Sequence, residues 1–377
     1  MRVGIDARLA FWDQRTGTGR YARSLIQAIA KVDTQNQYVL IDTKSRHASG
    51  EAAPELAPNL VTRRLNWDDR LLRVAWLATR RPKIELAVGP IDMLHCPNID
   101  YMPTLCKARV VTVHDLCVVT NGQFFPRKDR WLHLAALHRS VRDASLIIAV
   151  SNHTATGIRK HLNVEPKRIR VIPEAPAHVF SSRPAVADSE IGRQFSLEGP
   201  YFLFVGTLEP RKNISRLLTA FVEARRKAHI PQALVIVGRE GWLARPIAQE
   251  LRAAQATEDI RVLGYLPDVA LASVMRSADA LVYPAIEEGF GLPVVEAMAC
   301  GTPVITSRSS AMAELVGNAG MLVNPFDVAE IRNALIGLSQ DGRMRDEMRA
   351  LGYERVGQYS WERVAIETIA VYGELAA

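Results

Sequence analysis

The chain has 377 residues, of which 48% are hydrophobic, 23% are charged and 7% are aromatic, and its net charge is +7. This composition excludes a disordered tail or a fibre, and the length predicts two domains rather than one continuous core. No apolar run approaches the roughly 20 residues of a membrane-spanning helix, and the opening segment MRVGIDARLAFWDQR lacks the pattern of a secretory signal. The four cysteines have no CxxC spacing, which favours a cytoplasmic protein with reduced cysteines.

Short β-branched runs alternate with helical stretches through the first half of the chain. The runs predict strands at 2–7, 38–42, 93–96, 109–116, 146–151 and 169–173. The stretches between several of them predict helices near 20–32, 67–80, 127–143 and 153–161. Alternating apolar strands and helices indicate a parallel sheet covered by helices on both faces.

The same pattern begins again in the second half. It predicts strands at 201–207, 233–238, 260–266, 280–285, 303–307 and 320–325, with helices near 213–228, 244–255, 268–277, 293–299 and 327–339. A stretch rich in Pro, Ser and Ala, 173–190, joins the two series. We therefore predict an α/β fold with two Rossmann-like, doubly wound domains facing a central cleft, at 1–180 and 195–357. Ligands of such sheets bind at the carboxyl ends of the strands, so functional residues are expected in the loops that follow strands.

Positive charge is concentrated in the first half. Residues 1–180 hold 27 Lys and Arg against 16 Asp and Glu, whereas the remainder holds 20 against 24. This asymmetry points to an acidic partner of the first half, which could be a nucleic acid, an anionic membrane surface or a phosphorylated substrate. Chance variation in solvated surface charge is the alternative. No nucleic-acid-binding module is recognisable, so we expect no nucleic-acid partner.

The densest pattern of functional residue types is EEGFGLPVVEAMACGTPVIT at 287–306, directly after a predicted strand. Seven residues separate Glu288 from Glu296, and between them Gly289 and Gly291 allow the backbone to approach a ligand closely. The proline that follows fits the first turn of a helix whose N–H groups point at the preceding loop. Such N–H groups favour phosphate and carboxylates accept sugar hydroxyls, so the segment predicts a site for a phosphate between sugar rings. A strand–turn–helix corner with two solvated glutamates is the alternative.

Two cations occupy a similar position earlier in the second half. Arg211 and Lys212 follow the predicted strand 201–207 and precede the helical stretch NISRLLTAF. Cations beside a helix N-terminus predict a diphosphate clamp, in which each charge-assisted hydrogen bond contributes about 1.5–3 kcal/mol. An exposed Arg-Lys pair ahead of a helix is the alternative.

Segment 287–306 resembles the signature of retaining glycosyltransferases of family 4, which have the two-domain GT-B fold, and the likeness extends over nearly the whole chain. VGTLEPRKNISRLLTAF (205–221) resembles the diphosphate-binding segment of that family. IIAVSNHTATGI (147–158) and VIPEAP (171–176) resemble the interdomain region of the family. SRSSAMAELVGNAGMLVNPFD (307–327) resembles its segment downstream of the nucleotide site. The opening GIDARL…TGTGRYARSL resembles a subset that includes bacterial mannosyltransferases of surface-polysaccharide assembly.

The resemblance implies roles for individual residues. Arg211 and Lys212 would neutralise the leaving nucleoside diphosphate, Glu296 would hold the ribose hydroxyls, and Glu288 would hold hydroxyls of the transferred sugar. His114, near the end of the predicted strand 109–116, would lie beside the donor sugar near the anomeric carbon. The remaining contacts to the nucleotide sugar would come from Gly17, Gly19, Gly206, Gly289, Phe290, Gly291 and Leu292. The last helix, 358–377, would pack back on the first domain.

The motif Thr16-Gly17-Thr18-Gly19-Arg20 admits two interpretations. The resemblance implies a flexible loop near the phosphates and the acceptor. Gly17 and Gly19, with an alanine three positions later and Asp42 about twenty residues on, also have the outline of a dinucleotide fingerprint. In that fingerprint the glycines follow the strand at once, whereas eight residues intervene here. An NAD-dependent oxidoreductase therefore stays as the less favoured alternative.

The sequence offers no recognisable metal-binding motif. It contains no Asp-x-Asp, Walker A, GxSxG or HExxH pattern. We therefore expect no metal ligands and no cofactor beyond the nucleotide-sugar co-substrate.

Two basic segments interleave aromatic residues and leucines with arginines. One is 63–83, which includes Arg70, Arg73 and Arg80, and the other is 124–142. Basic amphipathic helices with aromatic residues lie on anionic membranes, although core helices with a solvated charged face look similar.

The sequence thus predicts a retaining glycosyltransferase that moves a hexose from a nucleotide diphosphate sugar to a hydroxyl acceptor. The opening segment favours mannose from GDP-mannose, and the acceptor is expected to be a lipid-linked glycan in lipopolysaccharide O-antigen or exopolysaccharide synthesis. The protein is expected to be cytoplasmic or peripheral on the inner face of the cytoplasmic membrane. A non-catalytic nucleotide-sugar-binding protein is the main alternative.

Overall fold

The computed structural model describes residues 1–11, 17–43, 57–184, 187–241, 244–256 and 258–376. Two features singled out in the sequence, Thr16 and the side chain of Arg70, lie outside these residues. The chain divides into two compact units. The first comprises Met1–Thr120, Arg127–Glu174 and Ser360–Ala377, and the second comprises Asn121–Pro126 and Ala175–Tyr359.

A parallel sheet of seven strands forms the centre of the first unit. Its strands are β1 (Arg2–Asp6), β2 (Gln37–Thr43), β3 (Leu60–Leu65), β4 (Met93–Cys96), β5 (Ala108–Val113), β6 (Leu146–Ala149) and β7 (Ile169–Val171). They lie in the order β3-β2-β1-β4-β5-β6-β7, and every neighbouring pair is parallel. The strand order therefore reverses direction between β1 and β4. The β1 sequence VGID is wholly buried, as expected of a central strand covered on both faces.

The helices of the first unit are α1 (Gly17–Val32), α2 (Asp69–Thr79), α3 (Glu85–Val88), α4 (Cys117–Thr120), α5 (Arg127–Asp143), α6 (Asn152–Leu162) and, from the far end of the chain, α15 (Trp361–Ala376). Helix α15 packs against α1, where Trp361 meets Tyr21 edge to face with ring centroids 5.7 Å apart. Its Tyr372 hydroxyl lies 2.7 Å from Nδ1 of His95 on β4. Burial lowers the pKa of His95 to about 3, so this ring is neutral and the last helix is held by an uncharged hydrogen bond.

A second parallel sheet, of six strands, forms the centre of the second unit. Its strands are β8 (Tyr201–Val205), β9 (Ala233–Val237), β10 (Ile260–Gly264), β11 (Ala280–Tyr283), β12 (Val304–Ser307) and β13 (Met321–Val323). They lie in the order β10-β9-β8-β11-β12-β13. The order reverses between β8 and β11, which is the doubly wound arrangement in which ligands bind beyond the carboxyl ends of the two central strands.

The helices of the second unit are α7 (Ala187–Gln194), α8 (Ile214–Ala228), α9 (Ala244–Gln255), α10 (Asp268–Arg276), α11 (Leu292–Cys300), α12 (Ala311–Val316), α13 (Val328–Gln340) and α14 (Gly342–Val356). Helix α11 is buried along almost its whole length, since eight of its nine residues are buried. Among the described residues, no helix has the length and apolar character needed to cross a bilayer.

The stretch 173–190, interpreted from its composition as a joining segment, belongs mostly to the second unit and is partly helical. Asp188 on α7 accepts hydrogen bonds from Ser273 and from Arg276 on α10, with Nε of Arg276 2.9 Å from Oδ2 of Asp188. This ion pair fixes α7 on α10, and both helices belong to the second unit.

Candidate active site

The loops after β8 and β11 bring the predicted clamp residues into contact at the carboxyl edge of the second sheet. Nη1 of Arg211 lies 2.9 Å from Oε1 of Glu288, and Nζ of Lys212 donates to the same oxygen. Nε of Arg211 lies 2.6 Å from Oε1 of Glu209. The Tyr283 hydroxyl, at the end of β11, lies 2.9 Å from Oε1 of Glu288. We call these five residues the clamp cluster.

The clamp cluster is electrically balanced, with two cations and two carboxylates. Burial alone would raise the pKa of Glu288, but the charges of Arg211 and Lys212 outweigh it and lower this pKa to about 2. The carboxylate is therefore ionised throughout the physiological range. Burial, and then the charge of Glu288, raise the pKa of the Tyr283 hydroxyl well above its usual value, so this group keeps its proton.

The contacts of Glu288 involve only one of its two oxygens. Among the described residues, every hydrogen bond and ion pair of this carboxylate ends on Oε1, which takes Arg211, Lys212 and Tyr283. Oε2 has no partner in the described part of the chain. A carboxylate held by one oxygen in this way has acceptor capacity left for ligand hydroxyls.

Backbone hydrogen bonds join the two loops that carry the cluster. Ile286 N–H donates to the carbonyl of Arg211 at 2.9 Å, and the Asn213 side chain donates to the carbonyls of Pro284, at 3.0 Å, and Pro325. Asn213 adopts a left-handed conformation (φ +63°) between the turn 210–212 and α8, which asparagine tolerates better than most residues. The cations are thus positioned by the loop backbone opposite Glu288.

Gly206 directly follows β8 and lies in close contact with the end of the neighbouring strand β9. Its N–H donates to Val237 at 2.9 Å, and its carbonyl oxygen would lie only 1.9 Å from a Cβ atom on Gly238. A side chain at 238 would therefore push the β8 loop away. The Gly206 N–H is used inside the sheet, so any contact of Gly206 with a ligand would come from other atoms.

The other predicted residues of segment 287–306 lie around the start of α11. Gly291 precedes the helix with φ +106°, and a Cβ there would lie 2.4 Å from Cε of Met312. The positive φ favours glycine at this position, and a side chain there would also displace the end of Met312. Phe290 and Leu292 are largely buried, and the Phe290 ring packs edge to face on Tyr359. At the start of α11, Pro293 has no N–H and the Val294 N–H donates to the Gly291 carbonyl at 2.9 Å, so the donor that the first turn can offer to an anion is the N–H of Leu292.

Glu296 lies in the second turn of α11, and only 1% of it is exposed. The second glutamate of the motif is thus a buried residue of the helix, whereas Glu288 lies in the loop before it. Gly289 follows Glu288 in that loop.

His114 lies in the first unit, just beyond β5, and both of its ring nitrogens are engaged. Nε2 lies 2.8 Å from the carbonyl oxygen of Pro97, and Nδ1 lies 2.7 Å from Oε1 of the buried Glu174. Burial lowers the pKa of His114, but the hydrogen bond and charge of Glu174 outweigh it and raise the pKa above its usual value. A histidine that donates from both nitrogens has no lone pair to act as a general base.

Gly17 and Gly19 open α1 in the first unit, so they form a helix start rather than a loop. The opening motif contributes a buried ion cluster instead. Nε of Arg8 lies 2.8 Å from Oδ1 of Asp6, and Nη1 lies 2.8 Å from Oδ1 of Asp69 at the start of α2. Within the described part of the chain, no group of three His, Cys, Asp or Glu side chains has the arrangement of a metal site.

Sequence reasoning assigned no function to Tyr283 and Glu209, both of which belong to the clamp cluster. In the sequence, Tyr283 lies within the predicted strand 280–285, and Glu209 lies within the segment 205–221 beside the two cations. Tyr283 could have been identified by its position, since it is a polar residue that ends a strand beside the point where the strand order reverses.

Comparison with known proteins matches both halves of the chain. Residues 189–355 match the family model "Glycosyl transferases group 1", and residues 15–175 match "Glycosyltransferase Family 4". The O-antigen chain mannosyltransferase B of Escherichia coli is 34% identical over 280 residues, which make up 74% of this chain and 73% of that protein.

Two further proteins complete the comparison. The phosphatidyl-myo-inositol mannosyltransferase of Mycobacterium leprae is 38% identical over 184 residues, so this similarity spans about half of each chain. The solved structure of sucrose-phosphate synthase from Thermosynechococcus elongatus superimposes with a TM-score of 0.79 at 21% identity, covering 100% of this chain and 99% of that one. The shared fold is that of the GT-B glycosyltransferases. The chain is an enzyme of this class, and it belongs to glycosyltransferase family 4.

Proposed function

We propose that the enzyme transfers mannose from GDP-mannose to a hydroxyl of a lipid-linked glycan, with retention of the anomeric configuration. The observation that carries the proposal is the clamp cluster, which combines two cations for a diphosphate with one open carboxylate oxygen for a sugar hydroxyl. The names of relatives support the sugar and the acceptor, since one is an O-antigen chain mannosyltransferase and another a phosphatidyl-myo-inositol mannosyltransferase.

In this proposal the cluster supplies positioning and charge. Arg211 and Lys212 take the diphosphate and neutralise the charge that develops on it as the glycosidic bond breaks. Oε2 of Glu288 accepts a hydroxyl of the transferred sugar, and this orients the anomeric carbon toward the acceptor. Glu296 contacts the ribose, and the start of α11, with Gly289 and its neighbours, faces the phosphates.

Lys212 and Arg211 would supply the positive charge that a divalent metal ion supplies in other glycosyl transfers. We therefore also propose that transfer needs no metal and no cofactor beyond the nucleotide sugar. The roles expected of His114 toward the donor sugar, and of Gly17 and Gly19 toward the phosphates, stay predictions.

A thermal-shift screen against GDP-mannose, UDP-glucose and UDP-N-acetylglucosamine tests the donor. We expect GDP-mannose to raise Tm most, since a ligand at 100 times its Kd stabilises a fold by about 2.7 kcal/mol. Release of GDP from GDP-mannose should then accelerate with a mannose-terminated acceptor, and NMR should find an α-linkage in the product, as in the donor. An inverted linkage in the product would contradict the retaining mechanism. Binding of GDP-mannose without release of GDP would indicate a nucleotide-sugar-binding protein that does not catalyse transfer.

The proposal of metal-free transfer is tested with a chelator. Excess EDTA should leave the rate of transfer unchanged, and a loss of activity that Mn²⁺ restores would contradict the proposal.

We further propose that the first unit lies on an anionic membrane through α2 and α5. Leu71 and Val74 on α2 and Trp131 on α5 are 73%, 55% and 67% exposed, and Val74 and Trp131 line the same groove. This groove of about 690 Å³, lined by both helices and by 162–168, continues this apolar surface. Exposed aromatic and aliphatic residues next to arginines are typical of helices that lie in the membrane interface.

The cations of this surface differ from those that the sequence singled out. Arg73 pairs with Asp100 at 2.8 Å and Arg80 with Asp143 at 3.8 Å, so two of the predicted arginines are already neutralised. Arg168, which lines the groove, instead donates to the main-chain carbonyls of Val141 and Ala144.

Co-sedimentation with vesicles tests the membrane proposal. We expect Leu71→Ser with Trp131→Ser to lower binding to phosphatidylglycerol vesicles at least tenfold, because the two apolar side chains no longer enter the interface. Neutral phosphatidylcholine vesicles should bind weakly, and salt should weaken binding to the anionic ones. Phe326→Ser is the control, since Phe326 is 58% exposed in the second unit. Equal binding of the double variant and the control would contradict the proposal.

A further inference from the structure

Tyr283 occupies a fixed position at the point where the strand order of the second sheet reverses. It is the last residue of β11, is fully buried, and its ring stacks on Phe204 of the neighbouring strand β8 with centroids 5.9 Å apart. Nζ of Lys212 lies 5.1 Å from the centroid of the same ring. The ring therefore has no freedom to move without disturbing the two central strands.

The Tyr283 hydroxyl links Lys212 to Glu288, and its hydrogen bonds can run in only one direction. The Lys212 ammonium only donates and the Glu288 carboxylate only accepts. The hydroxyl must therefore accept from Lys212 and donate its own proton to Oε1 of Glu288, which lies 2.9 Å away. The chain of donors runs Lys212 to Tyr283 to Glu288.

Oε1 of Glu288 takes three donors, and these differ in what a diphosphate does to them. Arg211 and Lys212 are cations, and phosphate oxygens compete with Glu288 for them. Tyr283 is neutral and buried, so an anion neither attracts nor displaces it. When a nucleoside diphosphate is bound, Tyr283 is thus the one donor among the three that stays wholly with Glu288.

We propose that Tyr283 is a positioning residue that keeps the Glu288 carboxylate in place for the transferred sugar while Arg211 and Lys212 engage the diphosphate. This inference rests on the proposed role of Glu288 toward the sugar. It adds a residue that acts on the sugar side of the site without touching the nucleotide.

The chain offers a matched control in Tyr201. This tyrosine also lies in the second sheet with 1% exposure, at the opposite end of β8, and its hydroxyl donates to the Val274 carbonyl at 2.7 Å. Tyr201→Phe and Tyr283→Phe each remove one buried, hydrogen-bonded hydroxyl. A purely structural loss should affect the two variants alike.

The test compares the sugar donor with its product. For Tyr283→Phe we expect kcat/KM for GDP-mannose to fall at least tenfold and the Kd of GDP, which carries no transferred sugar, to stay within twofold of wild type. Tyr201→Phe should leave both unchanged. The acid limb of the kcat/KM profile should move to higher pH in Tyr283→Phe, because the lost hydrogen bond is one that lowers the pKa of Glu288.

Combining Tyr283→Phe with Glu288→Gln distinguishes an effect that acts through Glu288 from a general loss of stability. If Tyr283 acts through Glu288, Tyr283→Phe should change GDP-mannose binding less than twofold in a Glu288→Gln background. Equal losses for GDP and GDP-mannose, wild-type behaviour of Tyr283→Phe, or additive losses in the double variant would each overturn the inference. Activity in Glu288→Ala would instead remove the proposed function itself. An inactive Glu288→Ala beside an unaffected Tyr283→Phe would remove only the role of Tyr283.

Discussion

Replacing Glu288 by alanine is expected to reduce glycosyl transfer at least about a thousandfold while the protein remains folded. The change removes the oxygen on which Arg211, Lys212 and Tyr283 converge, and it also removes the open oxygen proposed for the sugar. Arg211 then keeps Glu209 and Lys212 keeps the Tyr283 hydroxyl, but the carboxylate that offsets the charge of both cations is gone. Steady-state assays with GDP-mannose measure the loss, and circular dichroism checks the fold.

The Glu288 variant also has a pH signature. Because its folded pKa, about 2, lies below the ordinary value near 4.5, Glu288 contributes stability that is present above pH 4.5 and is lost as the pH falls toward 2. Wild type should therefore lose more stability than Glu288→Gln between pH 5 and pH 3 in urea titrations. Asp188→Asn, which breaks the ion pair of α7 with α10, is the control and should retain activity. Near-normal turnover in Glu288→Ala would show that the clamp cluster is not the site of transfer.

Replacing Lys212 by methionine is expected to weaken binding of both GDP and GDP-mannose by about 10- to 150-fold, which corresponds to the loss of one charge-assisted hydrogen bond of about 1.5–3 kcal/mol. A further loss in kcat is expected, because the leaving diphosphate is less well neutralised. Methionine keeps most of the length of the side chain, so the loss reports on charge. Calorimetric titration with GDP, together with kcat, measures both effects.

Lys227 supplies the control for this variant. It lies in the last turn of α8, is mostly exposed, and pairs only loosely with Glu223 at 3.9 Å. Lys227→Met removes the same charge from the same unit and should leave GDP binding unchanged. If Lys212→Met binds GDP as tightly as wild type does, Lys212 does not bind the diphosphate and the predicted clamp is wrong. The contrast with Tyr283→Phe, which should spare GDP binding, separates the phosphate side of the cluster from the sugar side.

The strands with continuous apolar runs could be predicted from the sequence, but the edge strand β3 of the first sheet could not. MLHC at 93–96 was predicted with the bounds that the structure has. β3, with the sequence LVTRRL, was missed because it lies at the sheet edge and alternates exposed with half-buried residues, so two adjacent arginines obscure the pattern. α14 was missed because only Met348 and Gly352 are buried in it, which leaves no apolar stripe.

The candidate site could be predicted as two separate segments but not as one network. Arg211 with Lys212, and Glu288 with its glycines, are each visible as local patterns after a strand. Their contact depends on β8 lying next to β11, which is a long-range pairing that no local pattern specifies. His114 shows the same limit, because its partner Glu174 lies 60 residues further along the chain and local sequence does not reveal it.

The position of α15 has a consequence for the order in which the chain becomes structured. The first unit takes its final helix from 361–376, after the whole of the second unit has been synthesised. Until then Tyr21 and His95 lack the ring and the hydroxyl that cover them in the finished protein. On the ribosome, the second unit can therefore complete its fold first, while the first unit has its sheet but keeps an open apolar seam, which is the face of α1 that α15 covers later. A nascent chain arrested near residue 359 should expose this seam to chaperones, although every strand of both sheets has already been made.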